Sequence, residues 1–167
     1  DEEGEIIEMA SAPSNLTKAR LEEVFTHFLG EIEQIPPMVS ALHHNGRRLY
    51  ELAREGIEVE RPPRKITIFA LELISLDQTS FTAKVTCSKG TYVRVLAEDI
   101  AYQLDTVGHL TALRRTTIEP FPLQKLTPFK TLEALEGDFK QLDSFLLPID
   151  SALIDLPIWR FNAEETE

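Results

Sequence analysis

At 167 residues the chain is long enough for one domain with a real core, and its 43% hydrophobic and 27% charged residues are ordinary for a soluble globular protein. A formal net charge of −11 argues against indiscriminate nucleic-acid binding, which needs broad positive potential. Cys87 is the single cysteine, which excludes an intrachain disulfide, and no apolar run approaches the ~20 residues of a membrane span.

The charge is uneven. Acids crowd residues 1–8, 133–155 and 164–167. Bases concentrate at Arg47, Arg48, Arg54, Arg61, Arg64 and Lys65, then Lys84, Lys89 and Arg94, then Arg114 and Arg115. Two readings stand side by side: a solvated surface of mixed charge, or a local basic face on an acidic body.

Residues 1–14 are acidic, then rich in Ser, Ala and Pro, and read as a strand end followed by a loop. The start is neither a signal nor a transit peptide, and Asp1 in place of an initiator methionine predicts a piece of something longer. Thr17 suits the N-cap of a helix whose Leu21, Val24, Phe25 and Phe28 share one face, with Gly30 as the stop. Gln34-Ile35-Pro36-Pro37-Met38-Val39-Ser40-Ala41-Leu42 follows, and its double proline forbids helix and central strand. The expectation is an extended segment leading into a short strand. His43-His44-Asn45-Gly46 reads as a turn. The two histidines have no third ligand at sensible spacing, and neighbours on an extended segment point opposite ways, so no metal site is expected.

A short helix is predicted over 47–55, with Leu49, Leu52 and Ala53 on one side and Arg47, Arg48, Tyr50, Glu51 and Arg54 on the other. Gly56 ends it, residues 57–61 alternate, and Pro62-Pro63 breaks the pattern. Residues 36–63 thus form a proline-bracketed excursion carrying cations and an aromatic, either a surface lobe or a plain connection.

Strands are predicted at 65–74 and 80–88, joined by a turn at Asp77-Gln78. The second runs into Cys87-Ser88-Lys89-Gly90-Thr91-Tyr92-Val93-Arg94, where the period changes from two to 3.6 over a glycine. Val93, Leu96, Ala97, Ile100 and Leu104 make one apolar helical stripe, with Thr91 as the expected N-cap. Tyr92 and Arg94 project from the first turn, off that stripe. A fixed cation and a fixed aromatic beside free helix N–H groups suit an anion or a planar ring. The plain alternative is an Arg94–Glu98 ion pair one turn along. Beyond, residues 109–117 read as a strand or bend, Pro120 and Pro122 as breaks, and 131–135 and 139–146 as short helices. Leu147-Pro148-Ile149-Asp150 and Leu156-Pro157-Ile158-Trp159 are proline-punctuated apolar runs that cover the core or lead into a linker. No internal repeat or low-complexity tract appears.

Five blocks occur together in order: residues 34–42, Gly46-Arg47-Arg48-Leu49-Tyr50-Glu51-Leu52-Ala53-Arg54-Glu55-Gly56, residues 87–94, Gly108-His109-Leu110, and Leu113-Arg114-Arg115. In these blocks the chain resembles the bacterial tRNA pseudouridine synthase B (TruB) family. The resemblance runs to about Trp159 and implies an α+β pseudouridine-synthase fold, a mixed, mainly antiparallel sheet flanked by helices. It implies the C-terminal part of a catalytic domain over 1–159, with 36–63 as a mobile thumb. Residues 160–167 would begin a linker to an RNA-binding domain beyond.

The function so implied is isomerisation of the T-loop uridine at tRNA position 55 to pseudouridine, with the base flipped into a pocket. No metal or organic cofactor is implied. The implied partner is the tRNA T-stem-loop, recognised by its folded shape, and the implied setting is cytoplasmic, with no membrane. Arg94 matches the arginine that keeps a nucleophilic aspartate ionised and oriented. Tyr92 and Leu113 match residues lining the uridine pocket, Lys89 and Gly90 shape the turn, and Arg47, Arg48, Tyr50 and Arg54 are candidate RNA contacts. The family's nucleophile lies in a Gly-x-Leu-Asp-Pro-type motif upstream of these blocks. No such motif occurs in the 167 residues, so the chain alone is expected to be inactive. A non-catalytic RNA-binding module and a plain structural α+β domain are the competing readings.

Overall fold

Two long antiparallel strands form the centre of the computed structural model, in which the described residues are 6–13, 16–121, 126–154 and 156–157. The chain divides into two compact units, residues 1–112 and 113–167.

In the first unit, α1 spans Lys18–Thr26, and Thr17 Oγ1 accepts from the Arg20 N–H at 3.3 Å as its N-cap. Gly30, at φ 90°, turns the chain into β1, Gly30–Gln34. This strand was not anticipated. Its inward positions carry only Ile32 and Gln34 between exposed Glu31 and Glu33, too few apolar residues for a period-two signal. β1 pairs antiparallel with the start of β4, Arg64–Leu76, and β4 pairs antiparallel with β5, Phe81–Cys87. The sheet order is β1-β4-β5, with register shifts in β4 between Ile68 and Ala70 and between Leu73 and Ser75.

One sheet face is buried. Ile66 and Ile68 of β4 join Leu21, Val24, Phe25 and Phe28 and the helix residues Leu96, Ile100 and Leu104 in one core cluster. The last three belong to α3, Val93–Gln103, and its C-cap. Phe25 and Phe81 meet as tilted rings with centroids 5.7 Å apart. Fully burying each such side chain is worth about 1.5–3 kcal/mol, so this helix–sheet layer holds the unit together. Thr82, Lys84 and Thr86 face out on β5.

Residues 36–63 carry a miniature hairpin. β2, His43–His44, pairs with β3, Arg47–Arg48, around Asn45 and Gly46. Both turn residues have positive φ, 50° and 81°, as a two-residue type I′ connection requires. Hence α2 runs Leu49–Arg54 rather than starting at residue 47: the hairpin captures Arg47 and Arg48 as a strand. The extended stretch before it bends through 38–41 and becomes a strand only at His43. Residues 57–61 form no strand.

The second unit has two short helices, α4 Phe129–Glu133 and α5 Phe139–Asp143, and a single-turn 3-10 helix at Ile149–Ala152. α4 lies two residues before the helix expected at 131–135, and α5 is three residues shorter than the one expected at 139–146. The strand alternative for 109–117 does not form: the segment is irregular, bent at Thr111, with one isolated bridge from Ile118 to Phe121. Its Leu113 to Thr117 are all exposed, so no buried face rewards extended pairing. The strand end expected within 1–14 is not formed over 6–13, and residues 1–5 and 14 lie outside the described residues. Pro122, Ile158, Trp159 and residues 160–167 lie outside them too.

Candidate functional site

β5 leaves the sheet into a turn held from three sides. Ser88 extends the ladder beyond the last pair: its N–H donates to Thr67 O at 2.8 Å, and its Oγ accepts from the Thr67 N–H at 2.9 Å. Gly90, at φ 84°, makes the reversal, a conformation that a side chain would strain. Thr91 does not cap α3. Its hydroxyl donates back to Ser88 O at 2.9 Å, closing the turn, so the helix begins one residue later with Tyr92 as N-cap. Tyr92 receives no side-chain cap of its own helix. Gln34, at the end of β1 and buried, grips it instead. The Tyr92 N–H donates to Gln34 Oε1 at 2.8 Å, and Gln34 Nε2 donates to Tyr92 O at 3.1 Å.

Arg94 projects from the first turn of α3, half-buried. It makes no pair with Glu98. Its Nη2 donates to Val39 O at 3.1 Å, which ties α3 to the excursion. A guanidinium has five N–H donors, and this bond uses one. Val39 in turn lines an open concavity of about 530 Å³ with Ser40, Ala41, Tyr50, Ala53 and Arg54. Arg94 is therefore bonded to a residue of this hollow, which Tyr50, Ala53 and Arg54 of α2 also line. Two guanidinium groups lie near the Tyr50 ring, Arg54 at 5.3 Å and Arg48 at 6.0 Å from its centroid.

The basic run is not uniformly available. Arg47 forms an ion pair with Glu55, which holds Arg47 above its ordinary pKa and Glu55 below the usual carboxylate range. Lys65 is likewise raised by its hydrogen bond to Glu31, and Arg61 pairs with Glu58. Arg48 and Arg54 instead flank an aromatic ring. Lys89 and Gly90 are exposed at the turn. Leu113 opens the second unit and is 67% exposed, with Arg114 and Arg115 exposed beside it.

The first unit thus assembles Tyr92 and Arg94 on one turn and Tyr50 and Arg54 on one hollow, joined through Val39. Two participants escaped the sequence reading. Gln34 and Val39 act on backbone and side-chain atoms 58 and 55 residues away. Nothing local in Gln34-Ile35-Pro36-Pro37 signals such a partner.

Comparison with known proteins adds an independent line. A family profile described as "TruB family pseudouridylate synthase (N terminal domain)" matches residues 1–93, and one described as "tRNA pseudouridylate synthase B C-terminal domain" matches residues 94–154. Similar curated proteins named "tRNA pseudouridine synthase B" include one from Psychrobacter cryohalolentis, 48% identical over 92% of this chain and 42% of its own length. Another, from Mannheimia succiniciproducens, is 41% identical over 100% of this chain and 55% of its own. A third, from Chromohalobacter salexigens, is 46% identical over 94% and 50%. The chain spans about half the length of the curated relatives it matches. Among solved structures, a chain of a Cbf5-Nop10-Gar1 complex aligns with a TM-score of 0.63 at 22% identity, covering 84% of this chain and 40% of that one, which supports the α+β fold.

Proposed function

This chain belongs to the TruB family of pseudouridylate synthases, and from that premise we propose that the whole protein isomerises the T-loop uridine of tRNA to pseudouridine. The carboxylate nucleophile comes from elsewhere in the whole protein, because these 167 residues hold no Gly-x-Leu-Asp-Pro-type motif. Arg94 keeps that carboxylate ionised: a guanidinium at hydrogen-bond distance favours the charged form and fixes its direction. Tyr92 contacts the uracil, Leu113 takes its uracil-contacting role from the family resemblance alone, and Lys89 and Gly90 set the turn's shape. Residues 36–63 act as the thumb that closes on the RNA loop, with Tyr50, Arg48 and Arg54 as stacking and backbone contacts. Arg47 contributes less than its neighbours, since Glu55 already neutralises it. Residues 1–159 are part of the catalytic domain, 160–167 lead onward from it, and the enzyme works in the cytoplasm.

One observation carries the reading. Arg94 is half-buried, anchored through one donor to the carbonyl of Val39, itself a residue of the hollow, with no carboxylate partner among the described residues. A guanidinium that is positioned but not neutralised suits a group awaiting a carboxylate.

The test uses tritium release from tRNA labelled at C5 of the T-loop uridine. The isolated chain should release none, and the whole protein should release it steadily. Arg94→Ala in the whole protein should lower kcat by on the order of 10²-fold or more, the scale lost with one preorganised active-site donor, while tRNA affinity changes little. Turnover by the isolated chain, or equal losses of binding and turnover in Arg94→Ala, would refute the assigned role.

A further inference from the structure

We propose that Gln34 is a positioning residue for the reaction, holding the strand-to-helix turn from which Tyr92 and Arg94 project. The inference rests on the catalytic reading of Arg94 given above.

Gln34 is 3% exposed, at the end of a strand whose exposed positions are Gly30, Glu31 and Glu33. A buried amide must find hydrogen-bond partners or disfavour the fold. Here both polar ends of the amide meet the same residue, the N–H and the C=O of Tyr92, at 2.8 and 3.1 Å. Such a reciprocal pair fixes the rotation of the Tyr92 backbone as a ladder partner would. No other side chain does so locally. Thr91 is spent on Ser88 O, and α3 has no side-chain N-cap. Tyr92 O also accepts from Leu96 N–H at 3.0 Å, so the residue that Gln34 grips starts the helical hydrogen-bond series. The direction of the first turn of α3, and with it the exit of Arg94 two residues on, is thereby set from β1.

The same segment grips that turn a second time. Val39, five residues after Gln34, accepts from Arg94 Nη2. Between the two lie Pro36 and Pro37, whose rings fix φ and stiffen the spacer. Gln34 and Val39 therefore grip α3 twice from one short segment, the first on its backbone and the second on the guanidinium. Releasing the first lets Tyr92 rotate and shifts Arg94 against the second. A misplacement of about 1 Å in a reacting constellation lowers rate by about 10²-fold without removing a contact to substrate.

The experiment uses the whole protein carrying Gln34→Met, which keeps length and volume but neither donates nor accepts. The expected result is a 10- to 100-fold fall in kcat, in line with that misplacement scale, with KM for tRNA within about two-fold of wild type. In an Arg94→Ala background the same substitution should cost clearly less than in wild type, only the part that passes through Tyr92, because the guanidinium it helps to place is gone. Val24→Ala, which weakens the core away from the turn, should lower the melting temperature without that kcat loss. Hydrogen exchange at the Tyr92 amide should accelerate in Gln34→Met. Wild-type whole protein that shows no isomerisation overturns the catalytic reading, and the positioning claim with it. Active wild type with unaffected Gln34→Met kcat, or full additivity with Arg94→Ala, overturns the positioning claim alone.

Discussion

A methyl group placed on Gly108 should destabilise this chain, although glycine-to-alanine changes in ordinary backbone often do the opposite. Gly108 has no positive φ, so an alanine there meets no backbone strain. Its Cβ would stand 2.9 Å from the Ala101 Cβ. Carbon atoms rest at about 3.5–4.0 Å, so an overlap of about 0.6 Å or more must be relieved. Ala101 cannot turn away: its side chain has no rotamers, it lies within α3, and it is 7% exposed. Overpacking of this kind costs about 1–3 kcal/mol. The opposing loss of unfolded-chain freedom contributes about 0.4–1 kcal/mol. The difference spans about 0–2.6 kcal/mol, and because Ala101 cannot rotate away the clash should win by about 1–2 kcal/mol, or roughly 2–8 °C in Tm for a chain of this size. Thermal and urea melts followed by circular dichroism would read it, in a double-mutant cycle with Ala101→Gly. That change alone costs about 1 kcal/mol through helix propensity. Once Ala101 is glycine, Gly108→Ala should be neutral or stabilising. A neutral or stabilising Gly108→Ala in the wild-type background would refute the close approach of α3 and the segment behind it.

Two further outcomes follow from the first unit. Ile100→Ala should cost about 2–5 kcal/mol in a urea melt, because Ile100 is 3% exposed within the helix–sheet core; a negligible effect would mean the site collapses freely or is not buried. Asp99, on the same helix, has its carboxyl pushed up by burial, so the folded state disfavours its charge. A folded pKa above the unfolded one gives stability that is fully present below the carboxylate range and lost as pH rises through it. Asp99→Asn should therefore raise Tm at pH 7, and that advantage should fade as the pH is brought down through the carboxylate range; an Asn variant no more stable than wild type at pH 7 contradicts the sign.

The turn at Gly90 was legible because two periods meet there, and the core stripe of α3 because Leu96, Ile100 and Leu104 repeat at helical spacing. The same logic failed for β1. A five-residue strand with one aliphatic side chain takes its identity from pairing with Arg64 to Ile68, not from its own pattern. It failed again at Arg47, where a positive-φ Asn-Gly pair made a hairpin out of a helix start. Thr91 had the chemistry of a cap and used it on the preceding turn.

What the sequence determined was local: periodicity, breakers and five ordered motif blocks are properties of neighbouring residues, and they sufficed for the meander, the central helix and the family. What only the tertiary structure decided was the company Arg94 keeps. Its choice of the Val39 carbonyl over Glu98, and the Gln34 grip on Tyr92, join residues more than fifty positions apart through backbone atoms. Every residue type except proline offers the same backbone groups, so such contacts leave no mark on the residue that supplies the backbone atoms and appear only once the chain has folded.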